Sequence, residues 1–291
     1  MNILKSYIKG IVEATIRPKM ISLLWLFNFL FASLVYFLFS GTFSQALGKS
    51  LAASELLKGH ELGKQVMFEF LTTSGGGLQA LFRTVLLLTF LFLPVSMFLQ
   101  GGVLHALVYQ GKRERFAPSF FQGGGKFFGR FFRLTLYSLV LGVLFIIFFL
   151  VVNLLLGAAT KGSDNELLKF YLMLARLVLA LFLFYLYKMI LDYARIKIAV
   201  EDSWFVLDSL FVSLKFVFRK FGKTLFLFYL LGVTGVLIIF IYWGIRSLFA
   251  ASSAGTMILG FILAQLFILS RAWLRIAFAA AQMKLFTLET S

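Results

Sequence analysis

No cysteine occurs anywhere in the 291 residues. That excludes disulfides, thiolate zinc sites, iron–sulfur ligation and thiol catalysis together. Charge is scarce too: Asp, Glu, Lys and Arg make up 14% of the chain, against about 25% in soluble domains. Only two histidines are present, His60 and His105, and there is no HExxH, no Gly-x-Ser-x-Gly and no Walker loop. The sequence thus offers no catalytic constellation, no cofactor motif and no metal ligand set, and it reads as a non-enzyme. No carboxylate falls in the middle of an apolar run, which speaks against proton-coupled transport.

What the chain has instead is apolar surface. Hydrophobic residues make up 61% of it, with 38 Phe. Six stretches reach the roughly twenty apolar residues needed to cross a bilayer: 20–41, 81–107, 131–156, 167–191, 224–249 and 256–278. None alternates as a barrel strand does, so the expected fold is all-α, a single polytopic domain over 1–291 with six transmembrane helices. The first run is long enough to span and lacks a small-residue cleavage site, so it reads as a retained helix rather than a cleaved signal.

The net charge of +16 is distributed unevenly. Segments 1–20, 108–133, 188–223 and 271–291 hold 20 of the 28 basic residues, and the four lie on one side of a six-span topology. By the positive-inside rule both termini face the cytoplasm, and the protein belongs in a bacterial inner membrane. Basic residues hugging the ends of apolar runs point to anionic headgroups rather than nucleic acid.

Amphipathic segments precede the odd-numbered spans. In the first, Ile3, Leu4, Tyr7, Ile8, Ile11 and Val12 oppose Lys5, Lys9 and Glu13, and Pro18 marks the bend into the span. In the third, Leu207, Phe211, Leu214, Phe218 and Phe221 oppose Asp208, Ser209, Lys215 and Arg219, with Ser203 as N-cap. The second, 116–133, is shorter and interrupted by Gly123–Gly125. All three read as interfacial helices in the headgroup region. The even-numbered spans also resemble one another: QGGVLHALV (100–108), DYARIKIAV (192–200) and SRAWLRIAF (270–278) align without gaps. The alignment divides the chain into possible repeats 1–110, 115–205 and 206–287, with His105, Lys197 and Arg275 at one position. An amphipathic outer helix is expected over 47–70, followed by a flexible TTSGGG exit.

Five residues stand out as candidate contacts for lipid or an anion. Arg176 lies several residues inside the fourth span, where an Arg needs a partner or a route to water. Arg271 and Arg275, one turn apart, suit a phosphate. Lys197 and His105 complete a basic ring near the cytoplasmic mouth. Asp192 and Arg195 are spaced for a salt bridge, and Asn28, Asn153 and Gln265 for interhelical hydrogen bonds. Pro94 is placed to kink the second span, and Gly101-Gly102 and Ala279-Ala280-Ala281 for close helix approach.

IRPKM before the first span, GG with a basic stretch after the second, and DYARIKIAVEDS leading to LKFVFRKFGKTL resemble a loose bacterial group of six-helix membrane proteins. That group is similar to the membrane domain fused to some glycerophosphoryl diester phosphodiesterases. The resemblance implies a membrane module without its own catalytic residues. The leading expectation is a non-enzymatic module that binds anionic lipid, a membrane partner or a second copy of itself. The alternatives are a permease for an anionic or amphiphilic substrate and an accessory subunit of a larger membrane complex.

Overall fold

A computed structural model describes residues 2–47, 77–109, 115–159, 165–248 and 254–290. Among them are eight helices and no strand: α1 Asn2–Thr15, α2 Pro18–Leu47, α3 Gly77–Tyr109, α4 Phe116–Ala159, α5 Glu166–Val200, α6 Val206–Arg219, α7 Phe221–Ser247 and α8 Ala254–Thr290. All but α1 and α6 are long and apolar enough to cross a bilayer, so the protein is a multi-pass membrane protein. Each expected span lies within one of these helices, α7 ending at Ser247. The outer helix expected over 47–70 and its TTSGGG exit fall almost wholly outside the described residues.

The helix boundaries have local causes. Arg17 precedes Pro18, a position that disfavours helix, and Pro18 then starts α2 with its φ already set. The Asn165 side-chain oxygen accepts from Leu168 N at 3.3 Å to cap α5, with Glu166 in the first turn complementing the helix dipole. Between α5 and α6 the chain turns at Asp202, whose φ of 51° is the left-handed conformation that Asp tolerates better than most residues. The N-cap of α6 is Phe205, without a side-chain bond, not Ser203; the Ser203 hydroxyl only reaches the Phe205 carbonyl at 3.5 Å. Neither Pro94 nor the glycines at 123–125 ends a helix. The expected second interfacial helix is therefore the first part of α4, whose 44 residues span about 66 Å, twice the roughly 30 Å of hydrocarbon.

The chain forms two compact units, Met1–Ile21 with Met97–Ser291, and Ser22–Ser96. In the second unit, α2 and α3 meet through the Phe31 and Phe92 rings, 4.8 Å apart. The first unit has its core at the Lys/Arg-rich end of the bundle, called the basic end below. Phe127, Phe131, Leu134, Met189, Ile190 and Phe286 are among its buried members.

Three packings at this end share a plan. The first part of α4 lies against α3, where a Cβ on Gly123 would collide with His105 and one on Gly102 with the Phe120 ring. Helix α6 lies against α5, where the Phe216 and Tyr193 rings meet at a tilt, their centroids 5.1 Å apart. Helix α1 lies against α8, its Gly10 so close to Ala281 that a Cβ has no room, and Thr15 accepts from Trp273 Nε1 at 3.1 Å. Each amphipathic segment thus sits on the last part of the even span before it in cyclic order. The buried residues of α1 are Ser6, Gly10 and Ala14, one small residue per turn, while Leu4, Ile8, Val12 and Ile16 are exposed.

Candidate anion site at the basic end

Most charges at the basic end are already matched. Lys197, 6% exposed, gives its ammonium to Glu201 at 2.8 Å and Asp208 at 3.4 Å, pinning α6 to α5. The buried Glu289 carboxylate holds Lys220 at 2.9 Å and Lys223 at 2.6 Å, tying α8 to the start of α7. Arg17 pairs with Glu13 and donates to the Ala106 carbonyl at 2.7 Å, joining the α1–α2 elbow to α3. Asp202 accepts from Lys126 at 2.7 Å and from Arg130. Lys126 first, and then the Arg130 guanidinium, hold the Asp202 carboxyl below the usual carboxylate range. That guanidinium is buried between Trp204 at 4.2 Å and Phe127 at 5.4 Å, a cation–π stack that fixes α4 to the α5–α6 turn.

The seam between α5 and α8 is different. Arg195 reaches Asp192 at 3.2 Å. Arg275, from α8, lies within electrostatic reach of both, and Lys188 within reach of Asp192. The Lys188 ammonium sits 5.7 Å from each of the Phe228 and Phe278 rings. Arg271, one turn before Arg275, is exposed and lies over Phe267 at 5.9 Å. Gln282 brings its amide toward Asp192, yet its Nε2 is buried without a hydrogen-bond partner. One carboxylate therefore faces three cations, Arg195, Lys188 and Arg275, and Lys188, Arg275 and the nearby Arg271 form no ion pair with any described residue. Every group left over is a donor. The complement of such a set is an acceptor-rich anion, and guanidinium pairs favour phosphate.

The residues singled out from sequence divide accordingly. Arg271 and Arg275 belong to this seam, although they diverge, one outward over Phe267 and one toward α5. Lys197 is spent on its two carboxylates. His105 is buried where α3 meets α4, its Nδ1 3.4 Å from the Ser119 hydroxyl and its ring 4.9 Å from Tyr109. The three residues aligned by the repeat thus have different neighbours. The Asp192–Arg195 pairing and the close approaches at Gly101, Gly102 and Ala281 are as expected. Asn153 instead donates to its own helix, to the Phe149 carbonyl at 2.7 Å. Lys188 and Gln282 were missed. Lys188 lies one turn before Asp192, and Gln282 lies two turns after Arg275, so helical spacing carried the signal.

Among the described residues no group of three or more His, Asp or Glu is placed to hold a metal ion. No family model, curated protein or solved structure matches the chain.

Proposed function

We propose that this protein is a non-enzymatic membrane module that binds anionic phospholipid at its basic end, through Lys188, Arg271 and Arg275. The observation that carries the reading is the surplus of unpaired donors around Asp192, close to where the α5 and α8 spans leave the apolar zone. Phosphate oxygens satisfy several of these donors at once, and the headgroup level is where they are abundant. The amphipathic helices fit the same setting. Helix α6 and the turn before it expose Trp204, Phe205, Phe211 and Phe218 beside Lys215 and Arg219, and α1 and the residue after it expose Leu4, Ile8, Val12 and Ile16 beside Lys5 and Lys9. Apolar residues flanked by lysine and arginine suit a helix lying in the headgroup region. The charge distribution supports a cytoplasmic orientation for this end, with the spans in a bacterial inner membrane.

Native mass spectrometry of the delipidated protein, titrated with phosphatidylglycerol or phosphatidylcholine, tests the proposal. Wild type is expected to prefer phosphatidylglycerol, and the Lys188→Gln, Arg271→Gln, Arg275→Gln triple variant to lose about tenfold in that preference. Equal retention of both lipids by wild type, or an unchanged preference in the variant, overturns it.

A further inference from the structure

Arg176 lies away from the basic end, in the seam between α4 and α5. Tyr187 fixes the register of this antiparallel pair: it donates to the Ser138 carbonyl at 3.0 Å, its ring meets Phe145 at 5.9 Å, and a Cβ on Gly142 would stand 3.6 Å from its hydroxyl. Position 142 therefore faces position 187. Eleven residues, about three turns, back along α5 and forward along α4 lead to Arg176 and Asn153. Three turns return to nearly the same helix face, so both residues occupy the seam, and both are half-buried.

Neither residue is satisfied by the other. Arg176 Nε is buried with no hydrogen-bond partner, and the guanidinium forms no ion pair with a described residue. The Asn153 amide nitrogen is used on Phe149, which leaves its carbonyl oxygen as an acceptor. Helix α4 contains no carboxylate, and the nearest on α5 is Glu166, ten residues or about 15 Å away. Arg176 is also about 18 Å along α5 from Lys188, so with Lys188 at one edge of a roughly 30 Å hydrocarbon layer it stops well short of the other. A lone guanidinium at such depth costs a few kcal/mol, and its Nε is buried without a partner. Around it, Leu150, Leu154, Leu174 and Leu177 are exposed, an apolar surround that acyl chains wet and free phosphate does not enter.

We propose that Arg176 and Asn153 form a second anion site, entered from the hydrocarbon, for an amphiphile with a hydroxyl-bearing phosphate headgroup. Arg176 takes the phosphate, and the Asn153 carbonyl accepts from a hydroxyl of the same headgroup. The site is separate from the basic-end seam and stands whether or not that seam binds lipid.

The test is lipid titration of delipidated full-length protein by native mass spectrometry, using phosphatidylglycerol, phosphatidic acid and water-soluble glycerol phosphate. Arg176→Gln is expected to weaken one phosphatidylglycerol binding event at least tenfold, and Asn153→Leu to reduce the preference for phosphatidylglycerol over phosphatidic acid several-fold. Arg176→Lys, which keeps a cation and guards against misfolding of the Gln variant, is expected to stay within a few-fold of wild type. The basic-end triple variant is expected to leave this event unchanged. Wild-type binding in both Arg176→Gln and Asn153→Leu overturns the site, and competition by free glycerol phosphate overturns its assignment to an amphiphile.

Discussion

The two ends of the first unit are built from similar residues and have opposite fates. At the basic end Phe127, Phe131, Met189, Ile190 and Ile276 are buried, whereas toward the other end Leu154, Phe170, Met173, Phe240 and Met257 are each more than 60% exposed. In water such exposure would collapse the helices onto one another. In hydrocarbon there is no such drive, because lipid tails are as apolar as leucine, and helices pack where small residues, hydrogen bonds and ion pairs let them. Those features are concentrated at the basic end: the glycine contacts at 10, 101, 102, 123 and 124, and the ion pairs around Asp192, Lys197, Asp202 and Glu289. The comparison teaches that polar and small residues, not the abundant Phe and Leu, decide where this protein is organised.

Substitution can break that contrast. The largest effect is expected at close helix approaches: Gly10→Leu, which meets the Ala281 backbone, and Gly123→Leu, which meets His105, should each cost about 3 kcal/mol or more in thermal unfolding in detergent. Gly232→Ala, which meets open space, should be neutral or slightly stabilising. Next, Met189→Ala at the buried core should lose about 2 kcal/mol in the same assay, from the cavity and its lost dispersion contacts. Leu154→Ala at the exposed end should change stability by under about 0.5 kcal/mol. Equal costs at both ends would remove the distinction.

Ion pairs give smaller effects. Glu289→Gln should cost about 1 kcal/mol, since it frees Lys220 and Lys223, both partly exposed. Asp202 gives a pH signature. Its carboxyl is held below its unfolded value of about 3.9, so its contribution is complete above that value and is lost as pH falls through the folded one. With the side chain 43% exposed, screening keeps the contribution under about 1 kcal/mol. Stability measured from pH 7 to pH 3 should therefore fall less at the acid end in Asp202→Asn than in wild type.

Hydropathy made the six spans legible, because the length needed to cross hydrocarbon is a strong constraint. Amphipathicity located α1 and α6 but did not say which face meets protein. For α1 the Leu4, Ile8 and Val12 edge of the apolar stripe turns outward while Ser6, Gly10 and Ala14 are buried, since in lipid close approach outweighs hydrophobicity. The glycines at 123–125 read as an interruption of the helix, yet Gly123 and Gly124 are helical contact points for His105 and Phe98 across the interface with α3. At the α5–α8 seam, Arg271, Arg275, Asp192 and Arg195 were visible because helical spacing exposed them. That Arg275 serves α5, and that Gln282 joins it, depends on the relative rotation of two helices, which one sequence does not encode in any local pattern.

The most direct test of the central claim, that the exposed end of this bundle is solvated by hydrocarbon, uses Trp243, which is exposed near the far end of α7. A variant keeping only this tryptophan, reconstituted in phosphatidylglycerol and phosphatidylcholine bilayers, should be strongly quenched by brominated acyl chains and little affected by iodide in the water. Strong iodide quenching with no effect of bromine would contradict the account.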